Sequence, residues 1–133
     1  MILRLIRIGF FILAVCGLLP AFQPAKLGGK WFTVFKIPNS KTGKTVTVKI
    51  TLDLIPRGKT LTGTLTNYVG SREIKHDIKE GKVDGGNISF IEIAQAPTGE
   101  QTIEWYGALD GSSLQMTRAL KGGRRKQPLT FRR

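Results

Sequence analysis

The only histidine of the chain is the first candidate for catalysis. His76 lies close in sequence to a serine and two acidic residues, Ser71, Glu73 and Asp77, which are the residue types of a serine-hydrolase triad. Such a triad is recognised by its geometry, often with the serine on a sharp Gly-x-Ser-x-Gly turn, and that turn is missing from this segment. We therefore interpret residues 71–77 as a polar, solvated strand and expect no catalytic site in it.

Other enzyme and metal chemistries also lack the residues they need. Residues 41–45 contain Gly-Lys-Thr, but the upstream glycine of a phosphate-binding loop is missing. One cysteine and one histidine are too few for a disulfide framework or a structural zinc site. We therefore expect a protein without enzymatic activity, without a cofactor and without a bound metal.

Two charged residues fall on otherwise apolar strand faces. Glu92 alternates with apolar residues of the segment 88–94, and Arg118 alternates with apolar residues of 114–120. If both faces point into a barrel, the two charges enter its lumen, where charges are tolerated only when they are paired and hydrogen-bonded. They would then form a structural bridge or hold a polar group of a ligand. We take Glu92, Arg118 and Trp105, on the strand between them, as the candidate ligand-binding residues.

The orientation of Glu92 depends on whether its strand is regular. Ile91 and Ile93 flank the acidic residue and are strongly apolar. A β-bulge would turn these two isoleucines inward and leave Glu92 in solvent. Because burying a carboxylate is costly, the sequence favours this second arrangement.

A series of short strands must position these side chains. In residues 45–54, five apolar side chains alternate with polar ones, the period of two that is typical of a strand with one buried face. Further short segments follow at regular spacing, separated by turns that contain glycine, aspartate or proline. About eight strands and no convincing helix predict an all-β domain over residues 26–133. We expect an eight-stranded antiparallel up-and-down barrel, with a β-sandwich as the alternative.

The first 25 residues differ in character from the rest. Two arginines precede an uncharged apolar stretch, residues 8–19, which has the length of a secretory signal and is short for a membrane span. We expect residues 1–25 to be a signal peptide or N-terminal membrane anchor, and the protein to be exported to the periplasm, the cell envelope or the medium. The segment around Cys16 resembles a bacterial lipobox, although Val15 stands where that motif has a small residue, so a lipoprotein is an alternative.

The beginning of the barrel segment resembles a known superfamily. Residues 28–31, Gly-Gly-Lys-Trp, resemble the Gly-x-Trp start of the calycins, which include lipocalins, avidins and fatty-acid-binding proteins. In that family an arginine near the end of the last strand packs over the tryptophan. The resemblance implies an equivalent barrel closure here, with Arg133 stacked on Trp31 in a cation–π contact worth ~0.5–2 kcal/mol. Residues 81–90 are also similar to a stretch in small exported bacterial proteins of unassigned function.

The chain is strongly basic, with 21 Lys and Arg, 9 Asp and Glu and a net charge of +12. Residues 26–59 and 118–133 each carry a net +7, whereas residues 60–117 carry −4. Because the first and last strands of a closed barrel are neighbours, we expect one basic wall that attracts an anionic envelope surface. Nucleic acid is not the expected partner, because single-strand binding needs exposed aromatic side chains. The candidate basic patch consists of Arg124, Arg125, Lys126 and Arg132.

These features together predict a non-enzymatic, exported, calycin-like barrel. It would bind a small apolar or amphipathic ligand, or the anionic cell envelope. The alternative is an inhibitor or protein-interaction module that uses the barrel as a scaffold. Residues 26–133 are few for a roomy barrel, so we expect a small or filled lumen. A cavity of ~300 Å³ or more would favour ligand binding.

Overall fold

The computed structural model describes residues 26–133, which form nine β-strands. The strands are β1 (Gly29–Pro38), β2 (Thr45–Arg57), β3 (Thr60–Val69), β4 (Arg72–Asp77), β5 (Lys79–Asp84), β6 (Asn87–Ala96), β7 (Gly99–Asp110), β8 (Ser113–Leu120) and β9 (Lys126–Phe131). The signal segment expected at residues 1–25, including Cys16, lies outside the described residues. Within the described part of the chain, no helix has the length and apolar character needed to cross a membrane.

The strands form one antiparallel sheet in which sequence neighbours pair, with one break. β4 and β5 lie one after the other along the same edge of β3, because residues 64–69 of β3 pair with β4 and residues 60–61 pair with β5. The two short strands therefore share one position in a circuit of eight. This arrangement confirms the predicted all-β, antiparallel up-and-down barrel.

The circuit is nearly closed, because β1 and β9 meet at one point. Phe32 and Arg132 each donate a backbone N–H to the other's carbonyl, with N···O distances of 2.8 and 2.9 Å. The single continuous sheet thus curves back until its first and last strands touch. This closure distinguishes the fold from the alternative sandwich, which would stack two separate sheets.

The break between β4 and β5 opens the barrel wall. Glu80 has a φ of 50°, in the left-handed region that non-glycine residues rarely adopt, and the pairing of β5 with β6 shifts register between Lys79 and Lys82. β5 pairs with β6 only as far as Ile91, and β4 pairs with β3 alone. A slot therefore separates β4 from the second half of β6.

The two ends of the barrel are named here by their loops. The open end carries the loops at residues 39–44, 70–71, 97–98 and 121–125. The closed end carries residues 26–28, 58–59, 85–86, 111–112 and 132–133. This division matters for function because most of the basic loop residues and the cavity described below lie at the open end.

Alternation of apolar and polar residues builds the core. Along β2, every second residue from Val48 to Leu54 is buried, as the period of two predicts. Aromatic rings fill the middle of the lumen: Phe90 stacks on Trp105 with centroids 5.6 Å apart, and Phe131 meets Trp105 edge-on at 6.0 Å. Such aromatic pairs contribute ~0.5–1.5 kcal/mol each beyond the area they bury. This packed layer supports the polar groups that lie above it, towards the open end.

Candidate functional site

A buried carboxylate lies inside the barrel. Glu92, on β6, is only 2% exposed, and both of its oxygens have partners. Trp105 Nε1 donates to Oε1 at 3.1 Å, Asn67 Nδ2 donates to Oε2 at 3.2 Å, and His76 Nδ1 lies 2.8 Å from Oε2. These partners offset the desolvation cost that an isolated buried carboxylate would carry. Because they come from β3, β4 and β7, Glu92 links three other strands of the barrel.

The inward position of Glu92 corrects the arrangement that the sequence favours. β6 keeps an unbroken register with β7 along its whole length, so Glu92 stays on the buried face while Ile91 and Ile93 lie on the other face, partly buried. The irregularity lies at the pairing of β5 with β6, where it shifts the register without turning Glu92 outward. The favoured arrangement is wrong because polar partners on three other strands accommodate the carboxylate, and the local sequence pattern does not reveal them.

His76 is the functional residue that the sequence interpretation misses. The acidic residues of β4 are exposed, as expected for a solvated strand, and Ser71 is exposed in the turn before it. His76 instead faces inward, where its side chain is 19% exposed and contacts Glu92. The available signal is the period-two run Ile74, His76 and Ile78, which marks one face of this segment as apolar.

Arg118 reaches the same region from β8. Its guanidinium carbon lies 5.6 Å from the ring centroid of Trp105 and 5.6 Å from that of Phe35. Burial lowers the pKa of Arg118 below its ordinary value, and the nearby Glu92 carboxylate partly opposes this shift. Nε donates to Gln127 Oε1 at 2.7 Å, whereas in the part of the chain that the structure describes neither terminal nitrogen has a hydrogen-bond acceptor. Those terminal N–H groups remain available to a ligand.

These groups line a cavity of about 510 Å³ at the open end. Its apolar lining includes Phe35, Val48, Val69 and Ile103. The volume falls within the range of small-molecule sites, roughly 300–1,000 Å³. The aromatic layer fills the middle of the lumen, as expected, and the cavity at the open end is partly open to solvent. The polar lining consists of Asn67, Arg72, His76, Glu92, Gln95 and Arg118.

The slot between β4 and β6 forms part of the cavity wall. Arg72 and Ile74 of β4 line one side of it, and Ala94 and Gln95 of β6 line the other. No backbone ladder joins these two edges, because β6 pairs with β5 only as far as Ile91. The two edges are joined by the side-chain contact of His76 with Glu92 and not by sheet hydrogen bonds, so the slot interrupts the backbone ladder of the cavity wall.

The closed end holds the barrel-closing contact that the sequence predicts. The guanidinium carbon of Arg133 lies 4.2 Å from the ring centroid of the buried Trp31. Arg133 also donates to the backbone carbonyls of Gly28, at 2.9 Å, and Lys26, while Trp31 Nε1 donates to the carbonyl of Leu27 at 2.8 Å. Every one of these acceptors belongs to the backbone just before β1, so the cluster fastens that segment to the C-terminus.

The candidate basic patch is divided between the two ends. Arg124, Arg125 and Lys126 lie in and next to the loop between β8 and β9, at the open end, where they line a groove of about 660 Å³ with Leu120. Arg132 follows β9 at the closed end. Because a strand rises about 3.3 Å per residue, the six residues of β9 keep Arg132 well away from the other three.

The polar side chains of the cavity differ in how much of their hydrogen-bonding capacity is already used. The one buried acid, Glu92, already accepts hydrogen bonds at both oxygens. Within residues 26–133, no group of three or more His, Cys, Asp or Glu side chains is placed to hold a metal ion. Unused hydrogen-bonding capacity includes the terminal nitrogens of Arg118, whose guanidinium carbon lies near the rings of Phe35 and Trp105. An amphipathic molecule with an acceptor-rich head group would match this chemistry.

Comparisons with known proteins do not identify the chain. A scan against protein-family models finds no match, and searches of curated proteins and of solved structures find none either. The fold is therefore described by its own geometry, a nearly closed antiparallel β-barrel that is compatible with a calycin-like fold.

Proposed function

We propose that this barrel binds a small amphipathic ligand, with an anionic head group, in the cavity at its open end and catalyses no reaction on it. One observation carries the proposal: Arg118 lines the cavity beside Phe35 and Trp105, is partly desolvated, and leaves its terminal nitrogens without a protein acceptor. A positive charge in such surroundings gains from an anionic partner more than a solvated one does.

The surroundings of Arg118 fix the direction in which it binds. Gln127 accepts from Nε, and the ring of Trp105 lies beside the guanidinium. Trp105 is itself held by its hydrogen bond to Glu92. With one side of the guanidinium occupied, the two terminal nitrogens are presented together, the geometry that suits a carboxylate or phosphate oxygen pair. Glu92 thus acts as a positioning residue rather than as a ligand contact.

The apolar part of the ligand would lie against the walls of the cavity. Phe35, Val48, Val69 and Ile103 line it on the inner faces of four strands. Each methylene group buried there contributes about 0.8 kcal/mol, so a chain of several carbons supplies more affinity than the head group alone. A purely polar anion should therefore bind weakly, and a cavity of this size favours ligand binding over a role as a mere scaffold.

We further propose that the protein is an exported, calycin-like ligand binder. The support is the eight-position circuit, the closing contact of Trp31 with Arg133, and the apolar segment at residues 8–19 of the sequence. Native mass spectrometry of the protein isolated from its own host tests both parts of this proposal. It should show a chain that begins between residues 16 and 26 and a retained small molecule. An intact Met1 on cytoplasmic protein would contradict export.

The cavity proposal is tested by isothermal titration with three probes of matched structure. Decanoate supplies an anionic head and an apolar tail, decyltrimethylammonium supplies the same tail with a cationic head, and butyrate supplies an anionic head with a short tail. We expect decanoate to bind at least tenfold more tightly than either of the other two. Equal affinity for decanoate and decyltrimethylammonium would contradict a role for Arg118, and tighter binding of butyrate would contradict the apolar part of the site.

A further inference from the structure

We propose that the open end of the barrel docks on an anionic lipid bilayer, with its basic loops at the head groups and Ile37 and Leu120 in the interface. The inference rests on the proposed function in one respect, since the ligand cavity opens on this same face. Docking would then place the mouth of the cavity against the lipid from which an amphipathic ligand partitions.

The charge of the protein is concentrated at this end. The open-end loops, with the strand residues that flank them, contain seven basic residues and no acidic residue. The closed end, defined in the same way, contains five basic and two acidic residues, and the strands between the ends contain seven of each. The open end therefore carries +7 of the net +10 in residues 26–133. Its basic residues are Lys41, Lys44, Arg72, Lys121, Arg124, Arg125 and Lys126.

This distribution revises the basic wall that the sequence predicts. The strands between the ends carry as many acidic as basic residues, whereas the loops of the open end have no acidic residue. A compact, unbalanced cluster attracts an anionic surface over about one Debye length, roughly 10 Å at 0.1 M salt. The attraction therefore orients the barrel with its open end towards the membrane.

Two exposed apolar side chains lie at the same end. Ile37, near the end of β1, is 41% exposed, and Leu120, at the end of β8, is 48% exposed. Both occupy the inward-facing register of their strands and stand at the rim of the lumen. Apolar side chains among basic ones are typical of surfaces that lie in the head-group region of a bilayer. A soluble polyanion would use the charges and leave Ile37 and Leu120 in water, so this pair favours a membrane.

Sedimentation with vesicles tests the contribution of charge. The wild-type protein should sediment with phosphatidylglycerol-containing vesicles, should not sediment with pure phosphatidylcholine vesicles, and should dissociate as salt rises. Each basic side chain near an anionic surface contributes roughly fivefold in partitioning, so R124Q/R125Q/K126Q should bind roughly 100-fold more weakly. The matched control, K75Q/K79Q/K82Q, removes the same charge from exposed positions of β4 and β5 and should bind nearly as well as the wild type. Equal losses in the two variants would overturn the proposal.

A second pair of variants tests the apolar contribution. I37S/L120S should lower vesicle binding severalfold at fixed salt, whereas V34S/I55S, which replaces exposed apolar residues of the outer wall, should not. Binding that depends on charge but is the same in both double variants would overturn the membrane proposal and indicate a soluble polyanion instead. Circular dichroism checks that all variants are folded.

The docking proposal can fail independently of the ligand proposal. R118M removes the guanidinium proposed to hold the head group. Arg118 belongs to β8 and is not one of the seven basic residues of the docking face, although its side chain also borders the groove of Arg124, Arg125 and Lys126. R118M should therefore lose decanoate binding and keep vesicle binding. Loss of vesicle binding in R118M, with the fold intact, would contradict a docking surface made of loops. Vesicle binding without any decanoate binding in the wild type would leave the docking face intact and contradict only the proposed function.

Discussion

Two tryptophan–arginine pairs lie at different levels of the barrel lumen, and they differ in what else the arginine contacts. At the closed end, Arg133 lies 4.2 Å from the ring of Trp31 and donates to two backbone carbonyls. Towards the open end, Arg118 lies 5.6 Å from the ring of Trp105 and donates to the protein only through Nε. Both terminal nitrogens of Arg133 donate to the protein, whereas those of Arg118 have no acceptor in the described part of the chain and lie at the cavity.

Under the proposed function, the same pair of residue types serves two purposes. At the closed end, backbone carbonyls accept from both terminal nitrogens of Arg133, so this pair stabilises the fold. When a side-chain network holds the tryptophan and one edge of the arginine, the rest of the guanidinium stays available for a ligand. The two tryptophans differ in the same way, since Trp31 donates to the backbone and Trp105 donates to the carboxylate of Glu92.

The largest expected effect is on stability at the closed end. Trp31→Ala removes a fully buried indole that holds the segment before β1, and it should lower the free energy of unfolding by ~3–5 kcal/mol. Trp31→Phe keeps most of the ring and should lose clearly less. Urea denaturation followed by circular dichroism measures both variants. A loss below about 1 kcal/mol for Trp31→Ala would mean that the closed end does not stabilise the barrel.

A smaller loss is expected when the buried carboxylate is removed. Glu92→Leu leaves the buried Trp105 Nε1–H without an acceptor, which costs about 1–3 kcal/mol, whereas the partly exposed Asn67 and His76 can bond water instead. Glu92→Gln keeps an acceptor oxygen and is the matched control, so it should be less destabilised. A Glu92→Leu variant as stable as the wild type would show that the network is not needed to hold the fold.

The smallest stability effects separate the two arginines. Arg133→Met loses a cation–π contact worth ~0.5–2 kcal/mol, together with its hydrogen bonds to the backbone. Arg118→Met should change the free energy of unfolding by less than that, because burial already disfavours the charged guanidinium and methionine fits the apolar surroundings. The same urea titrations test the order of the two losses, and a larger loss for Arg118→Met would reverse the roles assigned to the pairs.

Most of the fold could be predicted from the sequence, because it depends on local periodicity. The period-two pattern of β2 identifies its buried face, and it continues in the other strands. The contact between Trp31 and Arg133 follows once the first and last strands are placed side by side and antiparallel. The break between β4 and β5 could not be predicted, because Glu80 adopts its left-handed conformation in a tertiary context that the local sequence does not specify.

The candidate site was harder to predict, since it depends on contacts between distant residues. Glu92 and Arg118 can be selected as charges on apolar faces, but the direction of Glu92 is decided by partners 13 to 25 residues away. His76 looks like one polar residue among several until its strand is placed beside Glu92. The cavity lies beside the slot between β4 and the second half of β6, and the apolar–polar pattern of the sequence does not show where two strands fail to pair.

The central claim is that Arg118 binds a ligand whereas Arg133 only closes the barrel, and one titration tests it most directly. Decanoate binding is measured by isothermal titration calorimetry for the wild type, Arg118→Met and Arg133→Met. The buffer contains no denaturant, and the temperature is one at which all three proteins are folded. Loss of a charge-assisted hydrogen bond worth about 1.5–3 kcal/mol should raise the Kd of Arg118→Met by roughly 10- to 150-fold, and Arg133→Met should stay within about twofold of the wild type. Equal Kd values for Arg118→Met and the wild type, or equal losses in the two variants, would contradict the account.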